Sequence, residues 1–295
     1  MERSSDKYMR TRMFFVAVLL FIVSSVQAQK PSSALAANVS EHKLASSLMG
    51  REMPYRVIAP VEKTVAKDER YPVIYLLHGL TGHFNNWTEL TKLSDYANGY
   101  KVIIITPEGG DGWYTDSVSN DKEKWESYIV QELIPEVDKK FRTWPTRDNR
   151  AIAGLSMGGF GSLKFGLKYP DKFVLAGSFS GALGAADITE KTVAGAIGKT
   201  IDGIFGPVGS DTRRSNDLFG IIRAMTPEKA KTIPFIYLDC GTEDFLFQNN
   251  RDFVSLLVEK KVPHEYRQLP GVHDWKYWDK QVQEFLQLAD RTFSK

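Results

Sequence analysis

The stretch AIAGLSMGGFGSLKFG, residues 151–166, joins a strand-like pattern to a helix-like pattern through a cluster of glycines. An apolar run ends at Gly154-Leu155, Ser156 follows, and the spacing after Gly158 favours a helix. Glycine is a poor former of both elements, so its density here needs a reason. A very tight turn that exposes one serine hydroxyl would need small residues on both sides. The G-x-S-x-G pattern therefore predicts a nucleophilic Ser156, and the alternative is a glycine-rich helix start capped by a serine.

The chain around this turn alternates short apolar runs with amphipathic stretches. Runs such as YPVIYLLHG, YKVIIITPEGG, RAIAGLS, FVLAGSFSG and PFIYLDCG suit central strands that are covered on both faces. Helix-like stretches lie between them at 87–97, 122–142, 158–168, 246–260 and 275–293. This alternation predicts an α/β protein with a mainly parallel sheet and helices on both faces. REMPYRVIAP, residues 51–60, predicts a further strand with Met53, Tyr55, Val57 and Ala59 on one side.

We predict one catalytic domain over residues 41–295. The segment 183–232 breaks the alternation of strands and helices with a mixture of Gly, Ala, Thr and charged residues. It predicts an insertion, either a lid or a helical flap. Substrate choice would depend on this insertion.

The first 28 residues have a different composition from the rest. Four basic residues precede MFFVAVLLFIVSSV, residues 13–26, and small residues lead up to Ala28. This pattern predicts a secretory signal peptide over residues 1–28, followed by a linker over residues 29–40. The alternative is a membrane anchor, for which the run is short, since spanning takes about 20 apolar residues. The protein is thus predicted to be exported, to a periplasm or to the extracellular space.

Charge and cysteine content exclude several classes of partner. The chain has 38 Lys+Arg and 36 Asp+Glu, and the predicted signal peptide holds four and two of these, which leaves the remainder formally neutral. Nothing in that balance indicates nucleic acid or an anionic membrane as a partner. Cys240 is the single cysteine of the sequence, so it predicts neither an internal disulfide nor a cysteine-ligated metal site.

A serine nucleophile needs a base and an acid, which follow it along the chain in this type of fold. His264 opens a strand-like run, whereas His273 follows that run, on the carboxyl-end side where Ser156 lies. His273 is therefore the favoured base. Asp239, Glu243 and Asp244 follow the preceding strand, and Asp244 is favoured because it lies out in the loop, where it could fix the tautomer of the histidine.

An oxyanion hole needs two backbone N–H groups aimed at the developing charge. The pattern predicts that one N–H comes from Met157, the residue after the predicted nucleophile. The second N–H is predicted to come from Leu80, in the HGLTG loop after a central strand. His78 comes before the acid in the chain, so we assign it a structural role in that loop.

Several aromatic residues fall on or beside the same strand-end loops. Trp87, Trp113, Tyr114 and Trp275 could line an acyl or sugar site, and core packing is an equally good interpretation of each.

At this point several stretches resemble the esterase D family, also called putative esterases. They are YPVIYLLHGLTG, ITPEGGDGWYTDS, ELIPEVDKKFRT, AGLSMGGFGSLKFGLKYPDKF, CGTEDFLFQNN and GVHDWKYW, in the family's own order over about residues 40–293. The resemblance implies an α/β-hydrolase fold without metal or cofactor. It also implies Ser156, His273 and Asp244 as catalytic residues, with Leu80 and Met157 as oxyanion donors. The family includes S-formylglutathione hydrolases, tributyrin, feruloyl and acetyl-xylan esterases, and mycolyltransferases.

The expected activity is that of an exported serine esterase acting through an acyl-enzyme. The expected substrates are small-molecule or carbohydrate esters with short or aromatic acyl groups. Two alternatives stay open from the sequence. One is acyl transfer to a sugar, which would use the same residues, and the other is a binding protein that lacks catalytic activity on the same fold.

Overall fold

The computed structural model describes residues 35–60, 69–193 and 195–294. The predicted signal peptide and the predicted linker up to residue 34 lie outside these ranges. Among the helices that are described, none combines the length and the apolar character that crossing a bilayer requires.

The described residues form an eight-stranded sheet in the order β1-β2-β4-β3-β5-β6-β7-β8. β1, β2 and β4 pair antiparallel, and all the other neighbours pair parallel. The prediction of a mainly parallel α/β sheet is confirmed. The strands are β1 Val39–Ser46, β2 Arg51–Ile58, β3 Val73–Leu77, β4 Ile103–Pro107, β5 Arg150–Leu155, β6 Leu175–Phe179, β7 Phe235–Gly241 and β8 His264–Leu269.

The sequence did not predict β1, which takes the last two residues of the predicted linker 29–40. This edge strand is mostly polar, and only Val39 and Ser46 at its two ends are buried. Its backbone pairs with β2 along its whole length, from Val39 opposite Ile58 to Ser46 opposite Arg51. A strand held by backbone pairing at a solvated edge needs no apolar run, which is why composition concealed it.

Helices cover both faces of the sheet. Alternate residues of β3 divide between the two layers, with Tyr75 in one core and Ile74 in the other. The helices are α1 Asn86–Glu89, α2 Leu93–Ala97, α3 Trp125–Ser127, α4 Ile134–Lys140, α5 Met157–Lys168, α6 Ala196–Phe205, α7 Asp211–Ser215, α8 Leu218–Arg223, α9 Pro227–Ala230, α10 Phe247–Glu259 and α11 Trp275–Thr292. A π-helical segment, Tyr128–Leu133, joins α3 to α4. The helices predicted at 158–168, 246–260 and 275–293 match α5, α10 and α11 to within one residue at each end.

The predicted insertion at 183–232 is a set of short helices between β6 and β7. Buried Arg213 holds it together, since its guanidinium donates hydrogen bonds to the carbonyls of Ala186 and Ile188 and pairs with Asp202. Phe205 packs edge-on against Phe160 of α5, with ring centroids 5.8 Å apart. The segment thus contains several short helices, and it packs against α5 through Phe205.

Candidate active site

The turn between β5 and α5 presents the hydroxyl of Ser156. This residue has φ 54° and ψ −116°, a conformation that non-glycine residues rarely adopt. A Cβ on Gly154 would lie 2.5 Å from the Gly158 carbonyl, and a Cβ on Gly158 would lie 2.6 Å from the carbonyl oxygen of His78. The two glycines therefore allow the turn to approach the neighbouring backbone, as the sequence pattern predicts.

A chain of hydrogen bonds joins the three residues of the predicted triad. His273 Nε2 lies 3.0 Å from Ser156 Oγ, and His273 Nδ1 lies 2.8 Å from Asp244 Oδ2. A carboxylate only accepts, so Nδ1–H donates to Asp244, which leaves Nε2 to accept from the serine hydroxyl. Asp244 and His273 follow Ser156 in the chain by 88 and 117 positions. The structure brings the three residues together from the loops after β7, β8 and β5 respectively.

Asp244 and His273 are held in place by contacts from several directions. The Asp244 side chain is fully buried, and its Oδ1 accepts a hydrogen bond of 2.8 Å from the Leu246 amide. The His273 ring lies between Phe245, at a centroid distance of 4.6 Å, and Trp278, which meets it edge-on at 4.9 Å. About 15% of the His273 side chain stays exposed, so a substrate can reach it.

The other acid and base candidates lie elsewhere. Asp239 is fully buried within β7, and neither of its oxygens has a hydrogen-bond partner within 3.5 Å in the described part of the chain. Burial raises the pKa of Asp239 well above its ordinary value, because it disfavours the charged carboxylate. Glu243 accepts from the Gly271 amide instead. His264 opens β8, at the opposite end of the strand from the loop that carries His273.

Of the two predicted oxyanion donors, Met157 follows Ser156 in the chain, whereas the loop of Leu80 approaches Ser156 in space. Met157 is the first residue of α5, where an N–H has no partner within the helix. Gly79 lies so close that a Cβ on it would be 3.4 Å from Ser156 Cβ, which places the Leu80 loop beside Ser156. Over the described ranges, neither the Leu80 nor the Met157 amide donates a backbone hydrogen bond outside regular helix and strand pairing. Both are therefore available to an incoming oxygen.

The structure corrects most of the aromatic predictions. Trp87 and Tyr114 are fully buried, and they donate to the carbonyl oxygens of Leu77 and His78 respectively. Trp113 is also buried, so these three side chains pack in the core and offer a substrate little or no surface. Trp275 stays partly exposed.

The sequence analysis missed one residue that contacts the site. Phe245 packs against the His273 ring, and its only signal was an apolar residue directly after the acid. Val272, the residue before His273 in the chain, is apolar and 47% exposed. No group of three His, Cys, Asp or Glu side chains in the described ranges is arranged to hold a metal ion.

Comparison with known proteins identifies the family of the chain. The family described as "Putative esterase" matches residues 46–288, and the chain belongs to this family. An acetyl esterase of Caldicellulosiruptor saccharolyticus is 30% identical over 250 residues, which cover 80% of this chain and 92% of the relative. A mycolyltransferase Ag85A of Mycobacterium gordonae is 26% identical over 243 residues, covering 72% of this chain and 70% of the relative.

Two solved structures share both fold and sequence similarity with the chain. A ferulic acid esterase superposes with a TM-score of 0.75 at 27% identity, covering 86% of this chain and 98% of its own. The serine hydrolase FphF of Staphylococcus aureus superposes with a TM-score of 0.74 at 26% identity, covering 85% of this chain and 97% of its own. Family, fold and site together define the protein as a serine carboxylic-ester hydrolase with an α/β-hydrolase fold.

Proposed function

We propose that Ser156, His273 and Asp244 are the catalytic triad of this esterase. The observation that carries the proposal is the continuous hydrogen-bond chain from Ser156 Oγ through both nitrogens of His273 to Asp244. A serine hydroxyl is a weak nucleophile at neutral pH, and a base within hydrogen-bond distance is what activates it. Asp244 holds the tautomer in which Nε2 is free to take that proton.

The reaction follows from these positions. His273 Nε2 takes the proton of Ser156 Oγ as Oγ attacks the ester carbonyl carbon. The carbonyl oxygen becomes an oxyanion that accepts hydrogen bonds from the Leu80 and Met157 amides. When the intermediate collapses, the alcohol leaves with the proton from His273. Water then attacks the acyl-enzyme by the same route, which releases the acid and restores Ser156.

The proposed substrates are esters of short or aromatic acyl groups, with a sugar as a candidate alcohol. Relatives and neighbours named acetyl esterase and ferulic acid esterase support this choice. Exposed Val272 and partly buried Phe245 beside His273 add apolar surface that suits a small acyl group or an aromatic ring. The N-terminal pattern of residues 1–28 supports export, as proposed from the sequence.

A second proposal is that the acyl group passes to a sugar hydroxyl instead of to water. The similarity to a mycolyltransferase supports it. The same triad would serve both reactions, because a hydroxyl of the acceptor replaces water in the second step. A binding protein without catalysis is disfavoured, because the intact hydrogen-bond chain at Ser156 would serve no purpose in it.

The test uses p-nitrophenyl acetate, butyrate, octanoate and ferulate with the protein from residue 29 onward. We expect turnover of the short-chain and ferulate esters, and Ser156→Ala should lower kcat by about 10³- to 10⁶-fold because the nucleophile is lost. Ser180→Ala is a matched control, since Ser180 also follows a strand with a positive φ of 48° and is buried. It should keep wild-type activity.

Two results would contradict the proposal. Equal activity of wild type and Ser156→Ala would remove Ser156 from the mechanism. A preference for octanoate alone would rule out short or aromatic acyl esters as the substrate class. Product analysis with an added acceptor sugar separates hydrolysis from transfer, because only transfer yields a new sugar ester.

A further inference from the structure

The Gly79–Leu80 peptide is held by its carbonyl oxygen. The Gly79 oxygen lies 2.8 Å from Nδ1 of the His78 ring and also accepts a hydrogen bond of 3.1 Å from the Gly82 amide. A peptide bond is planar and trans, so its C=O and its N–H point in opposite directions. Whatever fixes the Gly79 oxygen therefore also fixes the direction of the Leu80 N–H, which is one of the two proposed oxyanion donors.

The hydrogen bonds of the His78 ring decide which of its nitrogens carries the proton. The Gly109 amide lies 2.9 Å from Nε2 and donates to it, so Nε2 is the acceptor. The proton is then on Nδ1, which can donate to the Gly79 carbonyl. Glu108 Oε1 lies 3.4 Å from Nε2, but this oxygen accepts a shorter bond of 2.8 Å from the Gly110 amide. The ring is 1% exposed, so water does not compete for either nitrogen.

His78 thus connects two strand-end loops. One side of the ring is anchored to the loop after β4 through Gly109, and the other side holds the peptide that precedes Leu80. Tyr114 adds a third connection, because its hydroxyl donates to the His78 carbonyl at 3.0 Å. The His78 side chain lies in no contact with Ser156 or His273 that would let it take part in proton transfer.

We infer that His78 is a positioning residue of the oxyanion hole, whose Nδ1–H orients the Gly79–Leu80 peptide so that the Leu80 N–H faces the carbonyl oxygen of the ester. The inference rests on the proposed function, since it assigns a purpose to the Leu80 amide. It predicts that loss of the Nδ1–H donor weakens binding of the transition state much more than binding of the substrate.

Two substitutions separate the two nitrogens. His78→Asn places an amide donor near the position of Nδ1, so it can still hold the Gly79 carbonyl. His78→Gln places its amide near the position of Nε2, so it can keep the contact with Gly109 but not the one with Gly79. We expect His78→Gln to lower kcat by about 10- to 100-fold with KM nearly unchanged, because loss of a full oxyanion donor costs about 10²- to 10³-fold. His78→Asn should stay within about fivefold of wild type.

A transition-state analogue supplies a readout that a structural role alone would not change. An aryl trifluoromethyl ketone forms a tetrahedral oxyanion with an active serine, so its inhibition constant should rise in His78→Gln in proportion to the fall in kcat/KM. A fluorophosphonate probe counts the sites with reactive Ser156 in each variant, and rates are expressed per labelled site. Equal kcat for the Gln and Asn variants, or an unchanged inhibition constant in His78→Gln, would overturn the inference.

Wild-type protein provides a measurement that does not depend on folding of the variants. Nitrogen-15 NMR of the histidine rings distinguishes a protonated Nδ1 from a protonated Nε2. We expect His78 to carry its proton on Nδ1, and a proton on Nε2 would overturn the inference. If instead Ser156→Ala keeps full activity, the proposed function fails, whatever the tautomer of His78.

Discussion

Helix α5 connects two polar residues, Ser156 and Lys164, that differ in hydrogen bonding and in exposure to solvent. Ser156, directly before its first residue, ends a hydrogen-bond chain that is open to solvent at His273. Lys164, two turns further along, is fully buried, and its ammonium group donates to the Tyr114 carbonyl, to Thr115 Oγ1 at 2.9 Å and to Glu126 Oε2 at 2.8 Å. All three of its protons are used, so nothing is left to react. The difference is that every proton of the Lys164 ammonium group is bonded within the fold, whereas the hydrogen-bond chain that ends at Ser156 is partly exposed at His273.

Glu126 completes the closed cluster around Lys164. Its second oxygen, Oε1, accepts from Tyr169 at 2.7 Å and pairs with Lys168 at 2.6 Å. The Tyr114 carbonyl belongs to the loop after β4, the loop that also reaches His78. The cluster therefore holds the position of a loop beside the active site without touching the reacting groups.

The largest effect is expected from a substitution in the hydrogen-bond chain of Ser156, His273 and Asp244. Asp244→Asn should lower kcat by about 10⁴-fold, because an amide no longer favours the tautomer in which Nε2 accepts the serine proton. Asp239→Asn is the matched control, since that carboxyl is fully buried within β7 and an amide has almost the same shape. It should change kcat by less than about threefold. Steady-state hydrolysis of p-nitrophenyl acetate measures both, and a greater loss in Asp239→Asn would reverse the assignment of the acid.

Substitutions in the closed cluster around Lys164 should lower the stability of the fold. Lys164→Met leaves Glu126 without its buried partner and two acceptors without a donor, so we expect a loss of about 3 kcal/mol in the free energy of unfolding. Activity per folded molecule should stay near that of wild type. Lys168→Met is the matched control, because Lys168 pairs with the same carboxylate at 25% exposure, and it should cost about 1 kcal/mol or less. Urea unfolding gives both values, and equal losses would show that burial of Lys164 does not matter.

Acid should weaken the same cluster. Burial alone would raise the pKa of Glu126, but the ammonium groups of Lys164 and Lys168 outweigh it and lower the pKa to about 2. A carboxyl whose pKa is lowered on folding stabilises the fold above its unfolded pKa of about 4.5, and this contribution is lost as the pH falls towards 2. The loss is on the order of 3 kcal/mol.

Unfolding free energies measured from pH 6 down to pH 2.5 test this expectation. Glu126→Gln should show a shallower fall over that range than wild type. Part of the slope should remain, because the pKa of Glu108 is also lowered to about 2: burial alone would raise it, but the amides of Gly110 and Phe84 donate hydrogen bonds to the carboxylate and favour its charged form. An identical slope in wild type and Glu126→Gln would contradict the role given to Glu126.

The sequence by itself determined what depends on local rules. Apolar runs and helical spacing were enough to predict the parallel strands and helices α5, α10 and α11. The reason is that buried side chains recur along the sequence with the period of the element. The G-x-S-x-G turn selected Ser156 because only glycines fit around so tight a bend. Chain order and loop position then selected His273 and Asp244.

Tertiary structure decided what depends on partners distant in the chain. β1 is held by backbone pairing that its polar side chains do not reveal. Trp87 in α1 and Tyr114 in the loop after β4 both follow strand ends, where aromatic residues suit a substrate as well as a core, and only their packing shows that they are buried. Lys164 resembles any surface lysine of an amphipathic helix until Glu126, 38 residues earlier, comes beside it. Sequence patterns record local geometry and burial, whereas the pairing of distant polar groups is set by how the chain closes on itself.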